Sequence, residues 1–201
     1  MEIVNKRQWK INKILHYLLR ERFRKKIEFN FPENIDRWNL INEIILVKNF
    51  SSYLEIGCDN DDAFSKIKLN DKIGVDPHSG GNFRGTSDLF FHQNKKKFDC
   101  IFIDGLHEYD QVNKDILNSL DSLNENGIIL LHDCLPKSMS QQAVPRFQWV
   151  WNGDVWKSIV KFRCRNDLDI VTCKIDHGIS IIRKINNKDP LLLDIKNFKE
   201  L

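Results

Sequence analysis

The sequence predicts an α/β fold: a mostly parallel sheet with helices on both faces, finished by an antiparallel hairpin towards the C-terminus. Two observations carry this. Between Tyr53 and Leu131, short runs of branched apolar residues alternate with amphipathic segments, the pattern of strands joined by crossover helices. Further on, two strand-like runs are separated only by Asp176, His177 and Gly178, a link that allows antiparallel pairing and nothing else.

The elements follow in order. Over residues 4–26, Ile11, Ile14, Leu15, Leu18 and Phe23 recur at helical spacing among Lys6, Arg7, Lys10, Lys13, Arg20, Arg22 and Arg24. This predicts a basic amphipathic helix packed on the domain edge with its basic face in solvent; a membrane-surface or partner-binding role is the alternative. A second helix is expected from the cap Asp36 to Lys48, with Trp38, Ile41, Ile44 and Ile45 as its apolar stripe. The core then reads as strand 53–56, helix 63–67, strand 72–75, a glycine-rich connection, short helix 88–91, strand 99–103, helix 109–123 and strand 127–131. A helix at 155–162 precedes the hairpin strands 169–175 and 178–185, and residues 189–201 read as a terminal helix or coil. In domain terms, residues 1–50 form a helical extension packed on the core, 51–186 the main domain and 187–201 a tail.

Composition narrows the function. A chain of 201 residues, 41% of them hydrophobic, can bury one substantial core. The net charge of +3 is far from the concentrated basic face of a nucleic-acid binder, so no nucleic-acid partner is expected. Cys58, Cys100, Cys134, Cys164 and Cys173 form no C-x-x-C pair, which argues against a disulfide framework or zinc knuckle and for reduced thiols in the cytoplasm. The apolar patch Ile14 to Leu19 is interrupted by His16 and followed by Arg20 and Arg22, so no membrane span is expected. A homo-oligomer is left open.

Ligands of open α/β sheets sit beyond the carboxyl ends of the strands, and four such ends carry polar punctuation. At Glu55-Ile56-Gly57-Cys58-Asp59 a glycine lets the chain turn tightly beside a ligand. At Val75-Asp76-Pro77 an acidic residue is placed to accept from both hydroxyls of a ribose, or else to cap a turn. At Asp104-Gly105-Leu106-His107 a carboxylate and an imidazole share a cleft. At His132-Asp133-Cys134 a second such pair ends the neighbouring strand, so that Asp104 and Asp133 can converge on a hard cation such as magnesium. No G-x-G-x-x-G follows the first strand, which speaks against a nicotinamide oxidoreductase.

With these residues in place, the chain resembles the class I S-adenosylmethionine-dependent methyltransferases, a Rossmann-like fold. The branch it resembles carries a D-G-x-H motif after one central strand and an H-D motif after the next. The resemblance spans residues 53–185 and rests on "YLEIG", "IGVDP", "RGTSDLFF", "FDCIFIDGLHEYDQV", "GIILLHDCLP" and "WNGDVWK". It implies S-adenosyl-L-methionine as cofactor, with Glu55, Gly57, Cys58, Asp76, Pro77, Ser87, Asp88 and Asp104 around it: Glu55 and Gly57 at the methionine and ribose, Asp76 at the ribose hydroxyls, Ser87 and Asp88 near the adenine. It also implies a comparison with catechol-type O-methyltransferases, in which magnesium is held by two aspartates and an amide. Asp104 and Asp133 match the aspartates, Cys134 stands at the amide position, His132 is the candidate replacement ligand, and His107 falls where such enzymes keep a general base.

Where relatives carry a second glycine after "EIG", this chain has Asn60, Asp61 and Asp62; asparagine tolerates the left-handed backbone such a loop needs. The acceptor is expected to be an oxygen, alternatively a nitrogen, of a small molecule or glycan precursor. Trp149, Trp151 and Asn152 suit a sugar or aromatic acceptor, with Arg146 and Lys157 as candidates for an anionic part; the competing reading has Trp156 in the core and Asp154 capping the last helix. The rival to an enzyme is a catalytically inactive methyltransferase-like domain that binds or scaffolds.

Overall fold

A computed structural model describes residues 5–19 and 26–192. The expected helical positions Val4, Arg20, Arg22, Phe23 and Arg24, and the tail from residue 193 onward, lie outside the described residues.

Among the described residues, seven strands form one sheet: β1 (Tyr53–Ile56), β2 (Lys72–Asp76), β3 (Phe83–Arg84), β4 (Phe98–Ile103), β5 (Leu123–Leu131), β6 (Asp169–Cys173) and β7 (Ile179–Arg183). Their order is β3-β2-β1-β4-β5-β7-β6, parallel except for β7, which runs against both β5 and β6. The register sets Ile56 beside both Val75 and Ile103, and Ile103 beside Leu131. The carboxyl ends of β1, β2, β4 and β5 therefore finish level, along one edge of the sheet. The two-residue β3 was not expected; it lies in the glycine-rich connection, where no apolar run announces it.

Among the described residues, five α-helices accompany the sheet: α1 (Lys6–Leu19), α2 (Arg37–Lys48), α3 (Ser87–Gln93), α4 (Tyr109–Asp121) and α5 (Val155–Arg163). Alternate strand residues point to opposite faces. On one face Leu54, Ile56, Ile101, Ile103, Ile129 and Leu131 pack with Val112 and Ile116 of α4 and Ile159 and Phe162 of α5. On the other, Tyr53, Cys100, Phe102, Ile128 and Leu130 pack with Ile41 and Ile45 of α2 and with Phe64 and Ile67. Both faces are thus covered, as continuous apolar strands require. The helix expected at 63–67 is a single 3-10 turn, Phe64–Lys66, whose two apolar anchors leave it no further face to extend.

The first helix inverts the expected packing. Its inward residues are Trp9, Asn12 and His16, while Ile11, Ile14, Leu15 and Leu18 are exposed. Polar contacts hold it: Asn12 Nδ2 donates to the Arg146 carbonyl at 2.9 Å and Gln8 Nε2 to Asn12 Oδ1 at 2.9 Å. Trp9 meets Trp149 edge-on at 5.1 Å between ring centroids, and His16 lies 5.4 Å from Phe147. The apolar stripe read from the sequence is real, but it faces away from the domain.

Candidate active site

A cavity of about 880 Å³ opens over the carboxyl ends of β1, β2 and β4, within the roughly 300–1,000 Å³ common for small-molecule sites. Its walls are the β1 end (Gly57, Asp59), the β2 end (Asp76 to Ser79), the start of α3 (Ser87, Asp88) and the β4 end (Asp104, His107). Asn5, just before α1, and Gln8, Trp9 and Asn12 of α1 close it together with Arg146, Trp149 and Trp151.

Gly57 has φ 87°, and a Cβ there would lie 2.2 Å from the Asp104 carbonyl oxygen. Only glycine lets the end of β1 lie flush against the end of β4. In the loop that follows, the left-handed residues are Asp59 (φ 42°) and Asp61 (φ 62°), not the expected Asn60. Asp61 uses its side chain to fix the neighbouring turn, accepting from Gly81 N at 2.6 Å.

Asp76 organises both loops. Its Oδ2 accepts from the backbone N–H of Cys58 (3.1 Å) and Asp59 (3.0 Å), and its Oδ1 from His78 (2.8 Å) and Ser79 (2.9 Å). Burial works to raise its pKa, and these four donors outweigh it, so Asp76 stays ionised below the ordinary carboxylate range. The carboxylate borders the cavity, but its lone pairs are already engaged by the chain, and its turn-anchoring task comes first. Beside it, Ser79 Oγ is buried against the cavity with no hydrogen-bond partner among the described residues. Such an orphaned hydroxyl fits a ligand hydroxyl.

At the other end lies a charged cluster. His107 Nδ1 is 3.1 Å from the Trp151 carbonyl oxygen and 3.1 Å from Asp133 Oδ2, and its Nε2 is 3.3 Å from Asp104 Oδ1. Nδ1 faces the Trp151 carbonyl and the Asp133 carboxylate, and Nε2 the Asp104 carboxylate; all of these only accept, so both nitrogens carry protons in this arrangement and the ring must release one before it acts as a base. His132 Nδ1 lies 3.0 Å from the same Asp104 oxygen and its Nε2 3.6 Å from Asp176 Oδ1. Arg37, in the first turn of α2, donates to Asp176 at 2.8 Å and stands 3.7 Å from Asp104 Oδ2. Three carboxylates thus face two imidazoles and a guanidinium, the balance that buried charges require.

The protonation states follow. Burial works to lower both imidazole pKa values, but the Asp133 and Asp104 carboxylates outweigh it, so His107 is raised and His132 lies well above the ordinary value. Burial works to raise Asp104 and Asp176; His132, with His107 at Asp104 and Arg37 at Asp176, outweighs it and holds both low.

The ligand atoms of Asp104, His107 and Asp133 all lie within 4.8 Å of one another, so the observed three-residue set contains His107 where His132 was expected. This set does not fit magnesium. The ion takes oxygen ligands, whereas the Asp104 and Asp133 oxygens here face His107, His132, Arg37 and, for Asp133 Oδ1, the Asn152 amide at 2.8 Å. Cys134 supplies no oxygen either: its buried thiol turns back to the Leu131 carbonyl at 3.2 Å.

The structure brings Gly57, Asp76, Pro77, Ser87, Asp88, Asp104 and His107 to one cavity. It does not bring Glu55 or Cys58 there. Glu55 is 1% exposed and points to the opposite sheet face, accepting from the Tyr53 hydroxyl at 2.6 Å. Burial, reinforced by Asp104, pushes its pKa to about 8 against the Tyr53 bond and Arg37. Cys58 is buried with its thiol over Gly74, and only its N–H takes part, through Asp76. His132 and Asp133 are buried behind His107 rather than lining the cavity. Trp156 is in the core, and Asp154 holds the N-cap position of α5, but its carboxylate accepts from Tyr109 N at the start of α4 at 2.7 Å and pairs with Lys157 at 3.0 Å. Lys157 is therefore directed to Asp154. Arg146 lines the cavity with its guanidinium over Trp9 and Trp151 at 5.4 Å each.

Four contributors escaped the sequence reading. Arg37 and Asp176 come from chain segments far from any motif, Ser79 lies past the "IGVDP" segment, and Gln111 bridges Ser87, Asp88 and Asp115 at 3.2, 3.1 and 3.1 Å. Of these only Gln111 carried a signal, standing one helical turn before Asp115 on α4.

Comparison with known proteins agrees with this architecture. Residues 56–134 match the family described as methyltransferase domain. No curated protein sequence matches the chain. Among solved structures, the SAH-bound methyltransferase PaMTH1 of Podospora anserina is 15% identical with a TM-score of 0.59, covering 92% of this chain and 89% of that one. An O-methyltransferase of Bacillus cereus in complex with SAH is 9% identical (TM-score 0.55; 88% and 98% covered). The O-methyltransferase TomG of Streptomyces achromogenes, involved in tomaymycin synthesis and in complex with SAM, is 9% identical (TM-score 0.55; 92% and 100% covered). At such identities these likenesses show the fold. The chain thus has the Rossmann-like methyltransferase fold and, over residues 56–134, matches the methyltransferase domain family.

Proposed function

We propose that the protein is an S-adenosylmethionine-dependent methyltransferase of the cytoplasm that methylates a hydroxyl oxygen of a small molecule or glycan precursor. The observation that carries this reading is His107: an imidazole at the cavity wall, oriented by the Trp151 carbonyl at Nδ1, whose Nε2 takes a proton once the ring has released the one it shares with Asp104. The SAM and SAH complexes of the structural relatives support the cofactor, and the free state of all five cysteines supports a reducing compartment.

When bound, S-adenosylmethionine would supply a methyl group already activated as a sulfonium, with S-adenosylhomocysteine as the leaving group once the methyl passes to the acceptor oxygen. The chain's own part is alignment, exclusion of water and removal of the acceptor proton. Gly57, Asp76, Pro77, Ser87, Asp88 and Asp104 would border the cofactor, with the Ser79 hydroxyl as the open partner for a ribose hydroxyl. His107 Nε2 accepts the hydroxyl proton, and Asp104 and Asp133 stabilise the imidazolium that forms. Trp9, Asn12 and Trp151 cover the acceptor end. No step requires magnesium.

The test is formation of S-adenosylhomocysteine in the presence of catechol-like and sugar acceptors. Acceptor-dependent product formation that His107→Ala suppresses supports the reading. Tight cofactor binding with no turnover on any hydroxyl acceptor would favour the inactive binding domain.

A further inference from the structure

The outer face of α1 is left over from everything above. The helix turns Trp9, Asn12 and His16 to the domain and its apolar residues outward: Ile14 is 58% and Leu18 61% exposed, with Ile11 and Leu15 beside them at helical spacing. Lys6, Arg7, Lys10 and Lys13 flank this stripe, and the helix contains no acidic residue. Exposed apolar side chains bordered by basic ones on a helix lying on a domain surface have the composition of an interfacial anchor. Trp149, itself exposed, meets Trp9 at the side of the helix.

Charge selects the occupant. A second copy seated on this face would bring together two helices that each carry four positive charges and no acidic residue of their own, a repulsive arrangement. An anionic lipid surface satisfies both halves of the face at once, taking the apolar side chains between its headgroups and neutralising the lysines.

We propose that the exposed face of α1, built from Ile11, Ile14, Leu15 and Leu18 with Lys6, Lys10 and Lys13, docks this protein on anionic membrane surfaces. Since the opposite face of the same helix closes the cavity through Gln8, Trp9 and Asn12, docking holds the cavity's cover against the bilayer.

The test is co-sedimentation of the full chain with vesicles of equal parts phosphatidylcholine and phosphatidylglycerol, against phosphatidylcholine alone. The chain should pellet with the anionic vesicles, remain in solution with the neutral ones, and be released by added salt. Ile14→Glu/Leu18→Glu and, separately, Lys10→Glu/Lys13→Glu should each weaken binding at least about ten-fold. Leu46→Glu/Val47→Glu, on the exposed side of α2, should leave it unchanged. The substituted side chains are exposed, and circular dichroism checks the fold of each variant. Absence of binding, equal binding to neutral vesicles, or indifference to both α1 variants overturns the proposal. So does a concentration-dependent dimer in ultracentrifugation that Ile14→Glu/Leu18→Glu dissolves, which would assign the face to a second copy.

Discussion

The Trp151 carbonyl oxygen lies 3.1 Å from His107 Nδ1, and the Trp151 ring stacks on the imidazole at 5.4 Å between centroids, 28° from parallel. One residue thereby fixes both the orientation and the plane of the ring. The segment that carries it is itself locked: Gly153 has φ 58°, and a Cβ there would stand 1.7 Å from the His107 carbonyl oxygen, so only glycine permits this approach.

His107→Ala is expected to lower kcat by about 10²-fold or more while leaving S-adenosylhomocysteine affinity nearly unchanged. Steady-state kinetics beside calorimetry separates the two effects; unchanged turnover would reassign His107 to a structural role.

The pH profile reports the same ring. A general base works when deprotonated, so turnover should rise with pH along an acid limb that lies above the ordinary imidazole range, as the raised His107 pKa requires. Asp133→Asn removes a negative charge 3.1 Å from Nδ1 and should shift that limb to lower pH. A limb that stays in place would disconnect Asp133 from the base. Because the carboxylate oxygens already face nitrogen donors, EDTA should leave turnover unchanged, and stimulation by added magnesium would contradict the donor arrangement.

Asp76 and Ser79 should separate loop stability from ligand binding. Asp76→Asn sets an amide N–H against backbone donors and should cost about 1–3 kcal/mol in urea unfolding, together with cofactor affinity. Ser79→Ala should leave stability as it is, since Oγ has no protein partner, and should weaken S-adenosylhomocysteine binding about two- to ten-fold. Equal effects of the two variants on stability would refute the distinction.

Glu55 makes a prediction of opposite character. Its folded-state pKa of about 8 exceeds the ordinary 4.5, so between those values the unfolded chain releases a proton that the folded protein keeps, and stability falls as pH rises. Glu55→Gln, which can still accept from Tyr53, should be more stable than the parent by at least about 1 kcal/mol at the upper end of that window and show no gain below it. Unfolding at both ends checks the sign.

Much of this was legible in the residues. Strands β1, β4 and β5 announced themselves as continuous apolar runs, and the short link at Asp176 dictated the antiparallel β7. The level strand ends then placed Asp76, Asp104 and His107 at one edge. What escaped has physical reasons. A strand buried on both faces does not say which of its side chains reach the cavity, and Glu55, 1% exposed, is not among those that line it. Periodicity shows that α1 has two unlike faces but not which one turns inward; Asn12 and His16 are held there by long-range contacts to Arg146 and Phe147. Arg37 and Asp176 reach the cluster from opposite parts of the chain, and no local pattern predicts such a meeting.

The cavity over β1, β2 and β4 is, in the function proposed above, the cofactor site. Isothermal titration of the full chain with S-adenosylhomocysteine tests this most directly. It should show one-to-one binding at micromolar concentration that Ser79→Ala weakens and His107→Ala leaves intact. Absence of binding by the correctly folded protein would contradict it.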